Sequence, residues 1–354
     1  MNVSSDWLAF SVALVASLAI TVPVRKIAFW TGMVDQPGPR KVHAKPMPLL
    51  GGIAIYAGFV IAVLLSLHNV PAEQIVGILA GATLVLLVGV LDDGGMLHHQ
   101  VKLFIGMPVA AVLLLVSGVR ADFFSNFVPG EAGAALDVCF TILWVVGITA
   151  SFSILDHMDG LCAGIAAVAA GFFTIAAMMS GQTLVGTLAA AALGAALGFL
   201  RWNFNPAKIF MGDGGAMLLG FLMATLGLKL RPAAVHFPLT WLAVVLILGV
   251  PIFDTTLISI SRSRRGLLPF ASPGKDHTAH RLSNLGLGHR GAVVALYGLA
   301  LCSGTLALLV SYIGAPLAYV LTAALLACAL LAILRLESVP YEHQPKLRKP
   351  SPAP

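Results

Sequence analysis

Two adjacent carboxylates, Asp92 and Asp93, close an apolar run over 74–91 that itself contains no acid. As a helix, that run would place both acids at its C-terminus, where the dipole already concentrates negative charge. A divalent cation, a nearby lysine or a shared proton would have to offset two like charges there. Lys102 opens the next apolar run and comes within reach if the intervening turn is short. Metal or base work by the acids, with phosphate pairing by the lysine, is the chemistry this trio supports. A capped helix end with a snorkelling lysine is the structural alternative.

Other polar groups recur at the ends of apolar runs. Asp156 and Asp159, in DHMDG, share a face if the preceding helix continues through them. The segment NFNPAKIFMGDGG (203–215) ends in glycines and opens another apolar run. N–H groups at such a helix start make an anion site. Asp213 there is either the cap of that helix or a metal-binding carboxylate beside a phosphate. Asn203 and Lys208 share its loop. Pro251 should bend a span just before Asp254. The polar stretch 259–291 that follows is longer than a connector needs. Its His277, His280 and Arg281 suit a diphosphate or nucleotide, and a basic loop resting on anionic lipid is the rival reading. Zinc is not expected there, because the loop has no Cys or Glu at useful spacing. In the Pro-rich first loop, Arg40, Lys41 and His43 suit a phosphate entrance.

The elements that must position these groups are membrane helices. The chain of 354 residues is 58% hydrophobic and only 10% charged, with a mean hydropathy of +0.94; soluble proteins average about 25% charged residues. Apolar runs predict an all-α, polytopic integral membrane protein of about eleven helices, near 7–22, 51–68, 74–91, 103–119, 136–153, 162–179, 184–200, 214–228, 239–258, 292–312 and 316–334. No basic residue precedes the first run, so it reads as a retained span rather than a cleaved signal. The four cysteines lie inside apolar runs at unrelated spacings and read as small buried hydrophobes. The net charge of +6 is a topology signal, not a nucleic-acid one.

With the N-terminus outside, 18 of the 21 Lys and Arg fall in odd-numbered loops and the C-terminal tail, leaving only Arg120, Lys229 and Arg231 opposite. The odd loops and the C-terminus are therefore expected in the cytoplasm. On that topology Asp92, Asp93, Asp156, Asp159, Asp213, Asp254 and Asp276 all reach the cytoplasmic face. Glu73, Asp122, Glu131 and Asp137 lie scattered on the other. A carboxylate cluster facing the cytoplasm, walled by helices, is what a Mg²⁺-dependent phosphate site needs.

Five segments in register carry a resemblance: RKVHAKPMPLLGG, LDDGGMLHHQVKL, ILDHMDGLCAG, NPAKIFMGDGGAMLLGF, and PIFD followed by GKDHTAHRL. Over about 35–290 the chain resembles the polyprenyl-phosphate N-acetylhexosamine-1-phosphate transferases, relatives of phospho-MurNAc-pentapeptide transferase. The resemblance implies one transmembrane transferase domain over 1–354, with a disordered cytoplasmic tail from 336. It implies transfer of a sugar-1-phosphate, such as GlcNAc-1-phosphate, from a UDP-sugar to undecaprenyl or decaprenyl phosphate, releasing UMP and starting an envelope glycan. The expected setting is the cytoplasmic face of a bacterial inner membrane, with Mg²⁺ (or Mn²⁺) as cofactor. Membrane lipids and, in a homodimer, a second copy of the chain are further partners to expect, and nucleic acid is not. By the same resemblance, Asp92, Asp93 and Lys102 handle the lipid phosphate, and Asp213 with Asp92 binds the metal. Asp156, Asp159, Asn203, Lys208, His277, His280 and Arg281 meet the nucleotide-sugar.

The chain departs from the family pattern at Leu49, Ser153, His157 and Ala279, where arginine, asparagine, glycine and histidine are usual. The missing middle histidine argues against the pentapeptide substrate. A non-catalytic lipid-phosphate binder and a proton-coupled transporter are the alternatives; the transporter predicts acids near span midpoints and an inverted repeat.

Overall fold

The computed structural model describes residues 3–37, 45–67, 72–97, 99–231, 237–268 and 274–339. It is helical throughout, apart from a two-residue ribbon pairing β1 (Val34–Asp35) with β2 (Met47–Pro48). The helices are α1 (Val3–Thr31), α2 (Gly51–Ser66), α3 (Ala72–Asp93) and the short α4 (His99–Val101). A π-helical turn (Lys102–Gly106) leads from α4 into α5 (Met107–Val116). Then come α6 (Glu131–Leu155), α7 (Leu161–Met179), α8 (Thr183–Asn203) and α9 (Gly212–Lys229). The chain ends with α10 (Phe237–Ile247), α11 (Gly249–Arg264), α12 (Thr278–Leu282), α13 (Gly288–Val310) and α14 (Ala315–Glu337).

Every predicted span falls on a helix, and seven described helices are long and apolar enough to cross a bilayer. The pair α10 and α11 makes an eighth if its 77° bend is one broken span. That bend lies at Leu248, on the N-terminal side of Pro251. The proline has no N–H for the carbonyl of Ile247, four residues back, and its ring crowds that carbonyl. Several boundaries move from expectation. The first helix runs on through Pro23 to Thr31. The last continues to Glu337, so the expected tail begins inside a helix with Leu336 buried; residues from 340 on lie outside the described set.

Helix α9 is the hub. It is apolar on every side and buried from Gly214 to Leu228, as a helix in the middle of a bundle must be. α3, α6, α2, α7 and α8 all pack on it. α14, by contrast, is mostly open on its apolar faces, the pattern of a lipid-facing helix. The start of α9 is pinned from two sides. Phe210 donates its N–H to Pro48 O at 2.8 Å, and Gly51 and Gly52 return N–H groups to Phe210 O and Met211 O at 3.1 and 2.9 Å. A Cβ on Gly52 would overlap the backbone of Gly215, and one on Gly89 would overlap Gly214. These glycines let three backbones meet where the polar groups collect.

Asp137, seen in sequence as an isolated acid, is fully buried in α6. It accepts from the N–H groups of Phe123 (2.8 Å), Phe124 (2.6 Å) and Ser125 (3.1 Å), and from the Ser125 hydroxyl. One carboxylate thus satisfies a whole turn of loop backbone. Asp137→Ala should cost about 2–4 kcal/mol by orphaning those donors. A thermal melt of the detergent-solubilised protein, falling by several degrees, checks this.

Candidate active site at the helix ends

The ends of α3, α6 and α9 and the start of the π-helical turn converge. Lys102 Nζ lies 2.7 Å from Asp92 Oδ2 and also bonds Asp213 Oδ2, so one ammonium joins two carboxylates 121 positions apart. The π-turn places Lys102 there; such turns often mark functional sites because they re-aim one side chain. The other oxygen of Asp213 accepts from Ser153 Oγ at 2.8 Å. Ser153, an oddity in sequence, is thus a direct neighbour of the central acid. Lys102, Asp92 and Asp213 keep 19%, 13% and 27% of their side chains exposed, enough for a ligand to reach them.

Asp93 turns the other way. Its Oδ1 accepts the N–H of Asp213 at 2.9 Å and its Oδ2 that of Gly214 at 3.3 Å. It therefore closes the N-terminus of α9 from a neighbouring helix, and its charge is offset by the positive end of that dipole. Asp213 is not the cap of its own helix, which has no side-chain cap bond. The like-charge problem of Asp92-Asp93 is resolved by separation: one acid meets Lys102, the other meets α9.

Asp156 caps the C-terminus of α6 and has no hydrogen-bond partner among the described residues. Burial pushes its carboxyl well above the usual range, and the charges of Asp213, Asp93 and Asp159 add to this. Asp159 is engaged instead: its Oδ2 accepts from Asn205 Nδ2 and Ala207 N, both at 3.0 Å. Asn203, almost fully buried, ties Gly160 N to Ile209 O at 3.0 Å each. These two side chains lock the 204–210 loop against the turn between α6 and α7. Lys208 is exposed, with its ammonium 5.4 Å from the Trp202 ring centroid. Arg40, Lys41 and His43 lie outside the described residues.

The histidine segment forms a second group. Asp254 accepts from Thr278 N at 2.7 Å and pairs with His277 Nδ1 at 3.1 Å. His157 stacks on His277 with centroids 3.8 Å apart, and His280 lies 4.8 Å from it. Burial, then the neighbouring His277, hold His157 well below the usual imidazole range, so it is neutral. Arg281 is not in this group. Its guanidinium has no exposed surface and is occupied by Asp276 O, Leu336 O, Ser261 Oγ and the Glu337 carboxylate. It anchors the histidine segment to α11 and α14 and does not face a ligand.

Beside it, Asp276 is clasped by Arg262 (2.9 and 3.0 Å) and Arg265. Burial alone would raise its carboxyl, but the hydrogen bonds from Arg262 and then Arg265 outweigh burial and bring it down to about 2. Because this lies below the value for an unfolded chain, the stabilisation is complete above about pH 4. It is lost as pH falls towards about 2. The melting temperature should drop across that window, and Asp276→Asn should remove this component of the drop.

The Asp92–Asp213 pair fits Mg²⁺. Its donors are carboxylate oxygens, and magnesium commonly takes one or two of these, completing its shell with water and substrate phosphate. A cationic group already sits between the two acids in the form of Lys102. The arrangement is that of a membrane-embedded enzyme which handles phosphate at one end of a helix bundle.

Residues 75–231 match the model of the family described as Glycosyl transferase family 4. The chain is 39% identical over 299 residues to the probable undecaprenyl-phosphate N-acetylglucosaminyl 1-phosphate transferase of Bacillus subtilis, covering 82% of this chain and 80% of that protein. It is 33% identical over 307 residues to the decaprenyl-phosphate N-acetylglucosaminephosphotransferase of Mycobacterium tuberculosis (78% and 75% covered). The undecaprenyl-phosphate alpha-N-acetylglucosaminyl 1-phosphate transferase of Escherichia coli K12 is 28% identical over 298 residues (81% and 79%). The chain belongs to glycosyl transferase family 4.

Proposed function

We propose that the protein transfers GlcNAc-1-phosphate from UDP-GlcNAc to a polyprenyl phosphate at the cytoplasmic face of a bacterial inner membrane. The observation that carries this is the Lys102 ammonium shared by Asp92 and Asp213, at the meeting point of three helix ends. The names of the three relatives supply the substrate class. The eleven-helix, N-outside topology draws support from the charge asymmetry of the loops and from the helices found at all the predicted positions. Acids at helix ends, rather than at midpoints, favour this reading over a proton-coupled transporter.

In the proposed reaction an oxygen of the lipid phosphate attacks the β-phosphorus of the UDP-sugar. A new P–O bond forms, and the bond to the bridging oxygen breaks, its electron pair leaving with UMP. Lys102 supplies positive charge to the incoming phosphate. Asp92 Oδ1, the oxygen not held by Lys102, accepts the proton of a monoprotonated lipid phosphate. Ser153 keeps Asp213 oriented, and Asp93 holds the start of α9 in register. Mg²⁺, held by Asp213 and Asp92, would neutralise the charge gathering on the phosphates. Asp159 and Asn203 position the donor-side loop without touching the donor, and Lys208 is an exposed cation in that loop, beside Trp202.

The test is release of UMP by purified protein in detergent with undecaprenyl phosphate, Mg²⁺ and each of several UDP-N-acetylhexosamines. Release with UDP-GlcNAc supports the proposal. No release with any donor, from protein that still binds the lipid phosphate, would leave a binding homologue as the function.

A further inference from the structure

We propose that His157, Asp254 and His277 form a binding site for a transition-metal dication of the zinc type, separate from the Asp92–Asp213 pair. One ligand atom from each of the three lies within 4.8 Å of the other two. Two imidazole nitrogens and a carboxylate oxygen are a zinc donor set that leaves one position open. Magnesium prefers oxygen alone, so the chemistry of the two groups sorts two different ions.

The surroundings of the cluster are those of a preset site. His157 Nδ1 lies 3.2 Å from Ile154 O, so that nitrogen carries the proton and Nε2 presents its lone pair. Nε2 is buried and has no hydrogen-bond partner. A buried acceptor left unsatisfied is costly, and a metal ion is a partner that an imidazole lone pair can take without a proton. Thr278 N–H holds one oxygen of Asp254 and leaves the other directed at His277. Such tethers fix ligand orientation in metal sites. His280 adds a second buried, unpartnered nitrogen, Nδ1, with its ring 4.8 Å from that of His157. The 259–291 loop by itself lacks the extra ligands that zinc requires. They come instead from the turn between α6 and α7 and from α11.

The experiment titrates Co²⁺ into tag-free, chelator-stripped full-length protein in detergent, reading visible d–d absorption and metal stoichiometry. The expected result is one equivalent of Co²⁺ with the bands of a four- or five-coordinate site, displaced by Zn²⁺ and not by millimolar Mg²⁺. His157→Gln and His277→Ala should each weaken binding by about a hundredfold or more. Asp213→Asn, which disables the other pair, should leave the cobalt spectrum intact. Each variant is scored only if its metal-free melting temperature matches wild type; His157→Ala and Asp254→Asn provide further variants. An unchanged spectrum in a folded His157 variant, no cobalt band in the wild type, or loss of binding through Asp213→Asn alone would overturn the site. None of these readouts depends on turnover, so the proposed transferase reaction can stand or fall separately.

Discussion

Asp213→Asn should lower UMP release by about a thousandfold while the protein keeps its helical content and its melting temperature to within a few degrees. The expectation rests on where the carboxylate sits. One oxygen accepts from Ser153 and the other bonds Lys102, with the Asp92 carboxyl beside them. An asparagine keeps the shape and one acceptor, so the start of α9, pinned by Asp93 through backbone N–H groups, should stay in place. What is lost is one negative charge in a partly desolvated site, and removal of one such preorganised group commonly costs about 10²–10³ in rate. Activity within tenfold of wild type would remove Asp213 from the reaction.

Lys102→Ala should give an equally large loss of turnover with the opposite effect on cation binding. Without the ammonium, Asp92 and Asp213 face each other as bare like charges. A divalent cation can then bridge both in place of the ammonium, so Mg²⁺ should bind the substrate-free variant more tightly than wild type. Turnover should still fall by about 10³, because the charge that meets the lipid phosphate is gone. Lys102→Arg should recover only part of it, since a planar fork does not replace a point charge between two oxygens. Isothermal titration with Mg²⁺, alongside the UMP assay, separates the two effects. Weaker Mg²⁺ binding in Lys102→Ala would mean that the lysine organises the acids instead of competing with a cation for them.

Much of this was present in the order of residues. Runs too apolar and too long for a soluble core prescribe spanning helices, because a chain in lipid must satisfy its own backbone hydrogen bonds. The acids at the ends of those runs, and the weakness of two carboxylates at a helix C-terminus, mark Asp92 and Asp93 with Lys102 as one group; the loop charges put Asp213 on the same face, and only the family resemblance pairs it with Asp92 at a metal. Local sequence also located Pro251 as a break, since the proline defect acts over four residues.

The division of labour inside the group was decided only in three dimensions. Asp92 and Asp93 are neighbours of the same type, and nothing in sequence says that one meets Lys102 while the other caps a helix 120 positions away. Asn203 and Arg281 carry chemistry-bearing side chains at suggestive positions, yet tertiary packing uses them to hold loops and helix ends. Ser153 and His157, marked by sequence only as departures, gained meaning from partners on other helices. Local sequence dictates period, polarity and propensity. Which polar atoms face each other depends on how helices far apart in the chain pack, and that is a property of the whole bundle.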